Sequence, residues 1–406
     1  LGVDPSALRA RFEREVRYQS EIEHPNIVQI HDYDLNADPP WFVMELADIS
    51  LADELGQDRT LNGDPRHALF DLLSGLQAMH EKGFKHRDLK PANILKFQGA
   101  DGSTRYALSD FGLMAPEAGQ TTTLTGSNMG GGTPLYRPPE CAINLKRATV
   151  QSDIYSVGAI LHDIFGGGQS RLPHQELSVN GPLSDIIQRC TKKNARRRYS
   201  SVAALREDLY EVLSRENIEF TSREEEELVN LLKNQQNLDE QEWDRVFGQI
   251  DENDSEGRSN HAIFRALSID HIKQLADESP ELLASLGADY ANYAQHGVFD
   301  FDYCDVIGNR GRAFFEQGDL DLQAQIAVAM LTLGTKHNRW FVERIFMRMA
   351  GPDISDGLAN RIKIEINAQN ISFECHVKHL EFSIRTSRSY LHPILQALLG
   401  PPSNAN

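Results

Sequence analysis

Eight consecutive residues, His86-Arg87-Asp88-Leu89-Lys90-Pro91-Ala92-Asn93, set a carboxylate, an ammonium and a carboxamide within one short loop. A carboxylate so placed can take the proton of an attacking hydroxyl. An ammonium can carry the charge of a transferring phosphoryl group, and an amide oxygen can ligate a hard divalent cation. Asp88, Lys90 and Asn93 are therefore the candidates for base, charge partner and metal ligand. Asp110, seventeen residues past Asn93 in Ser109-Asp110-Phe111-Gly112, offers a second oxygen donor to the same cation. This is the side-chain set for moving a phosphoryl group from Mg-ATP to a hydroxyl, a reaction helped mostly by positioning and charge.

Two more stretches follow in order, Gly132-Thr133-Pro134-Leu135-Tyr136-Arg137-Pro138-Pro139-Glu140 and Ser152-Asp153-Ile154-Tyr155-Ser156-Val157-Gly158. The four motifs in register resemble the C-lobe of a eukaryotic-like Ser/Thr protein kinase of the bacterial type. The resemblance covers about the first 214 residues. It implies an α+β, protein-kinase-like fold lacking the first N-lobe strands, with a mainly helical C-lobe and then an all-α domain. ATP and Mg2+ are the implied cofactors and proteins the implied substrates. Lys90 and Thr133 match the Ser/Thr-specific form of the motifs. Asp153 resembles the aspartate that fixes the catalytic-loop backbone. Glu140 resembles an acid paired with an arginine near the lobe's end, here Arg198, although Pro138 stands where the family has alanine. Arg87 resembles the arginine that meets a phosphorylated activation-loop residue, for which Thr121, Thr122, Thr123 and Thr125 are candidates, with Ser127. At the nucleotide, Met44 matches the gatekeeper, the backbone of Glu45 and Ala47 the adenine-binding hinge, and Leu95 the residue beneath the purine.

The elements that must hold these residues can be read from apolar spacing. Asp4-Pro5-Ser6 is a helix start, and Leu8, Phe12, Glu15, Gln19 and Ile22 recur at steps of four and three. Glu15 thus lies on the inward face, where a carboxylate needs a cation. By resemblance that cation is the strand lysine that anchors ATP phosphates. Neither a Val-Ala-Ile-Lys strand nor a glycine-rich loop precedes Glu15, which reads as an N-terminal truncation and predicts impaired ATP binding. Gln19, where the family has an apolar side chain, adds an expectation of looser assembly. Residues 28–33 and 41–46 read as strands, 67–80 and 154–164 as buried helices, the latter closed by Gly166-Gly167-Gly168. An amphipathic helix from Val202 to Leu213 ends the expected kinase domain, residues 1–214.

Residues 215–406 are read as a helical interaction or regulatory domain. Ser222 and Glu225 have capping-box spacing, Ser279-Pro280-Glu281 starts a helix, Gly334 closes another, and 340–349 and 391–398 complete the set. No clean repeat emerges, so any solenoid is irregular. The loop 251–257 has acidic residues at calcium-ligand spacing. Its glycine falls at the seventh place and Ala262 at the twelfth, which excludes an EF-hand and leaves a linker.

Composition sets the outer bounds. The chain has 406 residues, 40% apolar and 25% charged, the balance of a globular protein with room for two cores. The net charge is −18, and residues 215–406 hold 18 Lys+Arg against 31 Asp+Glu. Such acidity disfavours nucleic acid and anionic membranes and points to a protein partner for the second half. No apolar run approaches the ~18–20 residues of a membrane span. Nothing at Leu1 resembles a signal peptide, so cytoplasmic residence is the expectation. The four cysteines have no paired spacing, and Cys375-His376 with His379 lacks a fourth metal ligand. A rival to the enzyme reading is a pseudokinase scaffold whose helical half binds proteins; the intact set at 88, 90, 93 and 110 argues for the enzyme.

Overall fold

Proline at the first turn, followed by Ala, Leu, Arg and Glu, favours a helix, and Pro5–Ser20 forms α1. The computed structural model describes residues 5–99, 102–111, 115–116, 134–142, 147–214 and 220–400. Two compact units divide the chain, Leu1–Ser214 and Arg215–Asn406.

In the first unit α1 buries Val16 and Gln19 and lays Phe12 against Phe42, ring centroids 5.2 Å apart. Phe42 lies on β2 (Trp41–Met44), which pairs antiparallel with β1 (Ile30–Asp34) across a bulge between Ile30 and Asp32. Residues 28 and 29, expected in the first strand, instead belong to the segment that meets Leu108. There the Val28 N–H donates to Leu108 O and the Leu108 N–H to Asn26 O, both at 2.9 Å. A second sheet follows the order β3 (Ile49–Ser50), β5 (Ile94–Gln98), β6 (Thr104–Leu108), all antiparallel. A short ladder joins β4 (Phe84–Lys85) to β7 (Ala115–Pro116).

Helices make the rest of this unit. After α2 (Leu51–Gln57), α3 (Arg66–Glu81) buries an almost continuous run from Ala68 to Gln77. α4 (Val150–Phe165) is buried on nearly every side and stops at Gly166, and α5 (Ser184–Cys190) and α6 (Val202–Leu213) pack around these two. Gly75 sets how closely α3 can approach the 24–28 segment: a Cβ there would fall on the carbonyl of Asn26. That carbonyl is the one β6 uses. An α+β lobe rich in helix is thus assembled around α3 and α4.

The second unit is helical throughout: α7 (Arg223–Asn234), α8 (Glu240–Ser255), α9 (His261–Ala266), α10 (Ile269–Glu278), α11 (Pro280–His296), α12 (Tyr303–Gln317), α13 (Leu320–His337), α14 (Trp340–Met349), α15 (Asp356–Ala368), α16 (Phe373–Ser383) and α17 (Pro393–Gln396). Its centre is α13, whose residues Ile326 to Leu331 are all fully buried against α11, α12, α14, α15 and α16. A helix apolar on every face belongs inside a core. Among the described residues no helix is long and apolar enough to cross a membrane.

Three expectations for this half are corrected. Residues 251–255 are the end of α8 rather than a linker, because Asn253 is buried and donates to Glu225 Oε1 (3.2 Å) and Asn260 Oδ1 (3.0 Å). Gly334 does not close α13. The missing side chain admits the backbone of Glu343, and the helix ends at Asn338 in a left-handed conformation. Only Pro393–Gln396 of 391–398 is helical. At α7 the capping differs in detail, since Ser222 Oγ accepts from the Glu225 N–H while the Glu225 carboxylate turns to Thr221 Oγ1 at 2.8 Å.

Because Gly75 faces backbone rather than a movable side chain, Gly75→Ala is expected to lower stability by about 1–3 kcal/mol. The check is a reduced urea midpoint at an unchanged denaturant slope.

Candidate active site

The catalytic loop is shaped by a residue that comes after it. Asp153, in the first turn of α4 and 1% exposed, accepts from the His86 N–H at 3.0 Å and the Arg87 N–H at 2.9 Å. His80 Nε2 from the last turn of α3 lies 2.8 Å from the same carboxylate. Burial alone would raise the Asp153 carboxyl, but His80 and these N–H groups outweigh it and leave its pKa lowered. Arg87 is held in a left-handed backbone conformation, φ +68°, which a bulky residue takes only under such constraint.

The loop then brings the candidates together. Lys90 Nζ meets Asp88 Oδ2 at 2.8 Å, both mostly buried. Asn93 Nδ2 donates to Asp88 O at 2.9 Å and to Asp110 Oδ2 at 3.3 Å. Ser109 closes the arrangement: its N–H and hydroxyl both donate to Asn93 O, at 2.9 and 3.1 Å, and its own carbonyl meets His86 Nε2 at 3.1 Å. Asp110 is also left-handed (φ +60°), which turns its carboxylate toward Asn93 while Phe111 is buried against the His86 ring, centroids 5.4 Å apart. No hydrogen bond occupies Asn93 Oδ1 or Asp110 Oδ1 among the described residues. Two free hard oxygens on adjacent side chains suit a small divalent cation that keeps several waters and phosphate oxygens.

Around the nucleotide candidates the picture is mixed. Ala47 and Leu95 pack on one apolar cluster with Val28, Phe97 and Ala107. Glu45 turns its carboxylate to an ion pair with Arg105, whose guanidinium lies over Phe97 at 4.4 Å. Met44, at the end of β2, is 42% exposed and outside that cluster. Glu15 is half-buried on α1. Gln19 is 1% exposed, and its amide donates to Val28 O at 2.7 Å, so its polarity ties α1 to the adjoining segment instead of loosening it. Gly112, Thr121, Thr122, Thr123, Thr125, Ser127 and Thr133 lie outside the described residues.

Glu140 and Arg198 form a bidentate pair at 2.6 and 2.8 Å, with Ser152 Oγ adding a third bond to Glu140 at 2.8 Å. The remaining Arg198 donors reach Lys192 O and Gln151 O. Burial works against the charged form of Glu140, but the guanidinium prevails and its pKa is lowered. Sequence reasoning passes over Arg14. Burial lowers the Arg87 pKa most, the charge of Asp153 opposes it, and Arg14 adds a smaller lowering; the Arg87 Nε is buried with no hydrogen-bond partner among the described residues. Two like-charged guanidiniums at one spot are a signal only once α1 and the loop are in place.

A helical lobe with small antiparallel sheets, a carboxylate-shaped loop and a paired Asn and Asp define a phosphoryl-transfer domain. The chain belongs to the protein kinase family: the model of the protein kinase domain matches residues 4–242. That match runs past the first unit through α7 and into α8. The chain is 37% identical over 182 residues to the serine/threonine-protein kinase pkn2 of Myxococcus xanthus, covering 44% of this chain and 20% of that one. It is 33% identical over 204 residues to the serine/threonine-protein kinase PkaA of Streptomyces coelicolor (45% and 36%) and 30% identical over 243 residues to the serine/threonine-protein kinase PknB of Mycobacterium leprae (53% and 37%). It therefore spans between a fifth and little more than a third of these relatives. Family membership brings with it ATP as the phosphoryl donor, with a divalent metal.

Asp153 and Glu140 both hold protons less tightly folded than unfolded. Their contribution is complete above the unfolded carboxylate range, about pH 5, and is lost as the pH falls below about 4 through the lowered folded values. Urea midpoints are expected to drop over that interval. Glu140→Gln should cost stability at pH 7 and progressively less as the pH falls from about 5 through the lowered folded pKa of Glu140.

Proposed function

We propose that the protein is a serine/threonine kinase that transfers the γ-phosphoryl group of Mg-ATP to Ser and Thr hydroxyls of proteins. Residues 1–214 are its catalytic domain and 215–406 a helical interaction or regulatory domain. The observation that carries this reading is the convergence of Asp88, Lys90, Asn93 and Asp110 on a backbone set by Asp153. The serine/threonine kinases it resembles support the same class, and Lys90 and Thr133 favour Ser/Thr over Tyr.

Asp88 orients the substrate hydroxyl and takes its proton as the oxygen–phosphorus bond forms and the bond to the β-phosphate oxygen breaks. Lys90, held beside Asp88, balances the charge on the moving phosphoryl oxygens. Asn93 Oδ1 and Asp110 would hold magnesium, which when bound neutralises phosphate charge. Ala47 and Leu95 give the purine an apolar seat, with backbone groups of Glu45 and Ala47 for its edge; Met44 is the gatekeeper by resemblance alone, being 42% exposed. By resemblance Glu15 is the carboxylate that would pair with a phosphate-anchoring strand lysine, for which the sequence before Glu15 shows no match. Arg87, with Arg14 near it, awaits an anion, which supports phosphorylation of Thr121, Thr122, Thr123 or Thr125 as the activating event. Four unpaired cysteines, three of them buried, suit the reducing cytoplasm. The acidic second half suits a protein partner.

Asp88→Asn, in the protein that carries this chain, is expected to lower phosphoryl transfer by about 10²- to 10⁴-fold, measured as labelled phosphate in Ser/Thr peptides. Undiminished transfer would overturn the reading. Arg87→Gln should erase the rate difference between loop-phosphorylated and phosphatase-treated protein, seen in kcat more than in KM.

A further inference from the structure

The second unit holds a cavity of about 420 Å³ between the end of α8, α9 and α11 that no part of the kinase chemistry uses. One wall is aromatic. The Phe264 and Tyr293 rings lie 5.0 Å apart, and Phe299 meets Tyr293 edge-on at 4.9 Å. Tyr293 is fixed there, its hydroxyl 2.8 Å from His261 Nδ1 and 3.3 Å from the Tyr303 hydroxyl. Opposed in character is Asp289, a half-buried carboxylate on α11. Among the described residues it has no hydrogen bond and no ion pair. Its pKa is pushed up to about 6, first by burial and then by the nearby charges of Asp254 and Asp251.

Among the described residues no ion pair compensates this carboxylate. Asp254, also on the cavity wall, has one oxygen bonded to Asn260 Nδ2 at 2.8 Å. Arg258 lines the cavity together with His261 and His296; it lies at ion-pair distance from Glu252 and Glu256, 3.3 and 2.7 Å, not from Asp289, and its Nε makes no hydrogen bond among the described residues. An unpaired carboxylate beside fixed aromatic side chains in a half-open cavity recognises a planar cation, which can stack on the rings while it pairs with the oxygens. An ammonium fits less well, since it cannot stack or bond in a fork.

We propose that this cavity is a binding site for a guanidinium group, with Asp289 as its charge partner and Tyr293 and Phe299 as its stacking wall, backed by the buried Phe264. The source is either an arginine side chain within a protein or a free guanidine compound, and the chemistry is common to both. The wall is also wired inward. Asn260 accepts from Asn253 Nδ2, which donates to Glu225, whose carboxylate holds Thr221 just before α7. The site stands whether or not the first unit transfers phosphate.

The test is calorimetric titration of the whole chain with N-acetyl-arginine methylamide, and with the citrulline analogue as a neutral isostere. Saturable binding of the arginine probe, with the citrulline probe and Asp289→Asn each weaker by about 10-fold or more, is expected. Asp289→Asn relieves like-charge repulsion, so its melting temperature should not fall, which separates lost binding from lost fold. Equal heats for arginine and citrulline probes, full affinity in Asp289→Asn, or no binding by the folded native chain would overturn the proposal. Free arginine matching the capped probe assigns a small molecule. Binding that needs flanking residues, probed with an Ala-Arg-Ala peptide, assigns a protein chain. Either supports the site.

Discussion

A single buried carboxylate, Asp153, decides the shape of the loop on which the chemistry rests. Two consecutive backbone N–H groups, those of His86 and Arg87, point at it. With these two donors held, the left-handed conformation of Arg87 turns the chain onward into Asp88. Hydrogen bonds to a charged acceptor are worth roughly 1.5–3 kcal/mol each, enough to hold a backbone whose strain is roughly 1–3 kcal/mol. From there the geometry propagates: Asp88 faces Lys90, Asn93 reaches Asp88 O and Asp110, and Ser109 secures Asn93 from the next strand's end. Remove the carboxylate and these distances have no reason to persist.

The same helix start is used a second time. Ser152, one residue before Asp153, accepts from the Thr149 N–H and donates to Glu140, which is already clamped by Arg198. One helix start therefore serves two carboxylates, one that shapes the catalytic loop and one that ties residues 138–140 to residues 192–198. Both lie in low-dielectric surroundings, and both stay ionised because cations and N–H groups meet them. In the second unit the organising element is apolar instead: the middle of α13 is enclosed by its neighbours, and the buried polar groups are paired, as where Asn253 donates to Glu225 and Asn260.

How much of this is legible in the sequence depends on the distance over which each rule acts. The catalytic set is legible because three of its members sit within six residues and the fourth in a motif of its own. The Glu140–Arg198 pair is legible only through the family pattern, being fifty-eight residues apart. Helices α3, α4, α6 and α14 follow from apolar spacing, and their bounds fall close to those expected. Where the reading fails, a tertiary contact overrides a local signal. Acidic residues at 251–255 look like a linker until Asn253 is found buried, and Gly334 looks like a helix end until Glu343 packs against it. Gln19 looks like a defect until its amide meets Val28 O. Arg14 and Asp289 have no local signature at all; each acquires meaning from what the fold sets beside it.

The 67 residues between His86 and Asp153 also impose an order in time. A ribosome adds roughly 5–20 residues per second, so the loop emerges roughly 3–13 s before the aspartate that turns it. Throughout that interval the nascent chain carries Asp88 and Asn93 on a segment with no carboxylate to bend it. The fold thereby makes its most consequential loop a late product of translation, finished only after the first turn of α4 has cleared the exit tunnel.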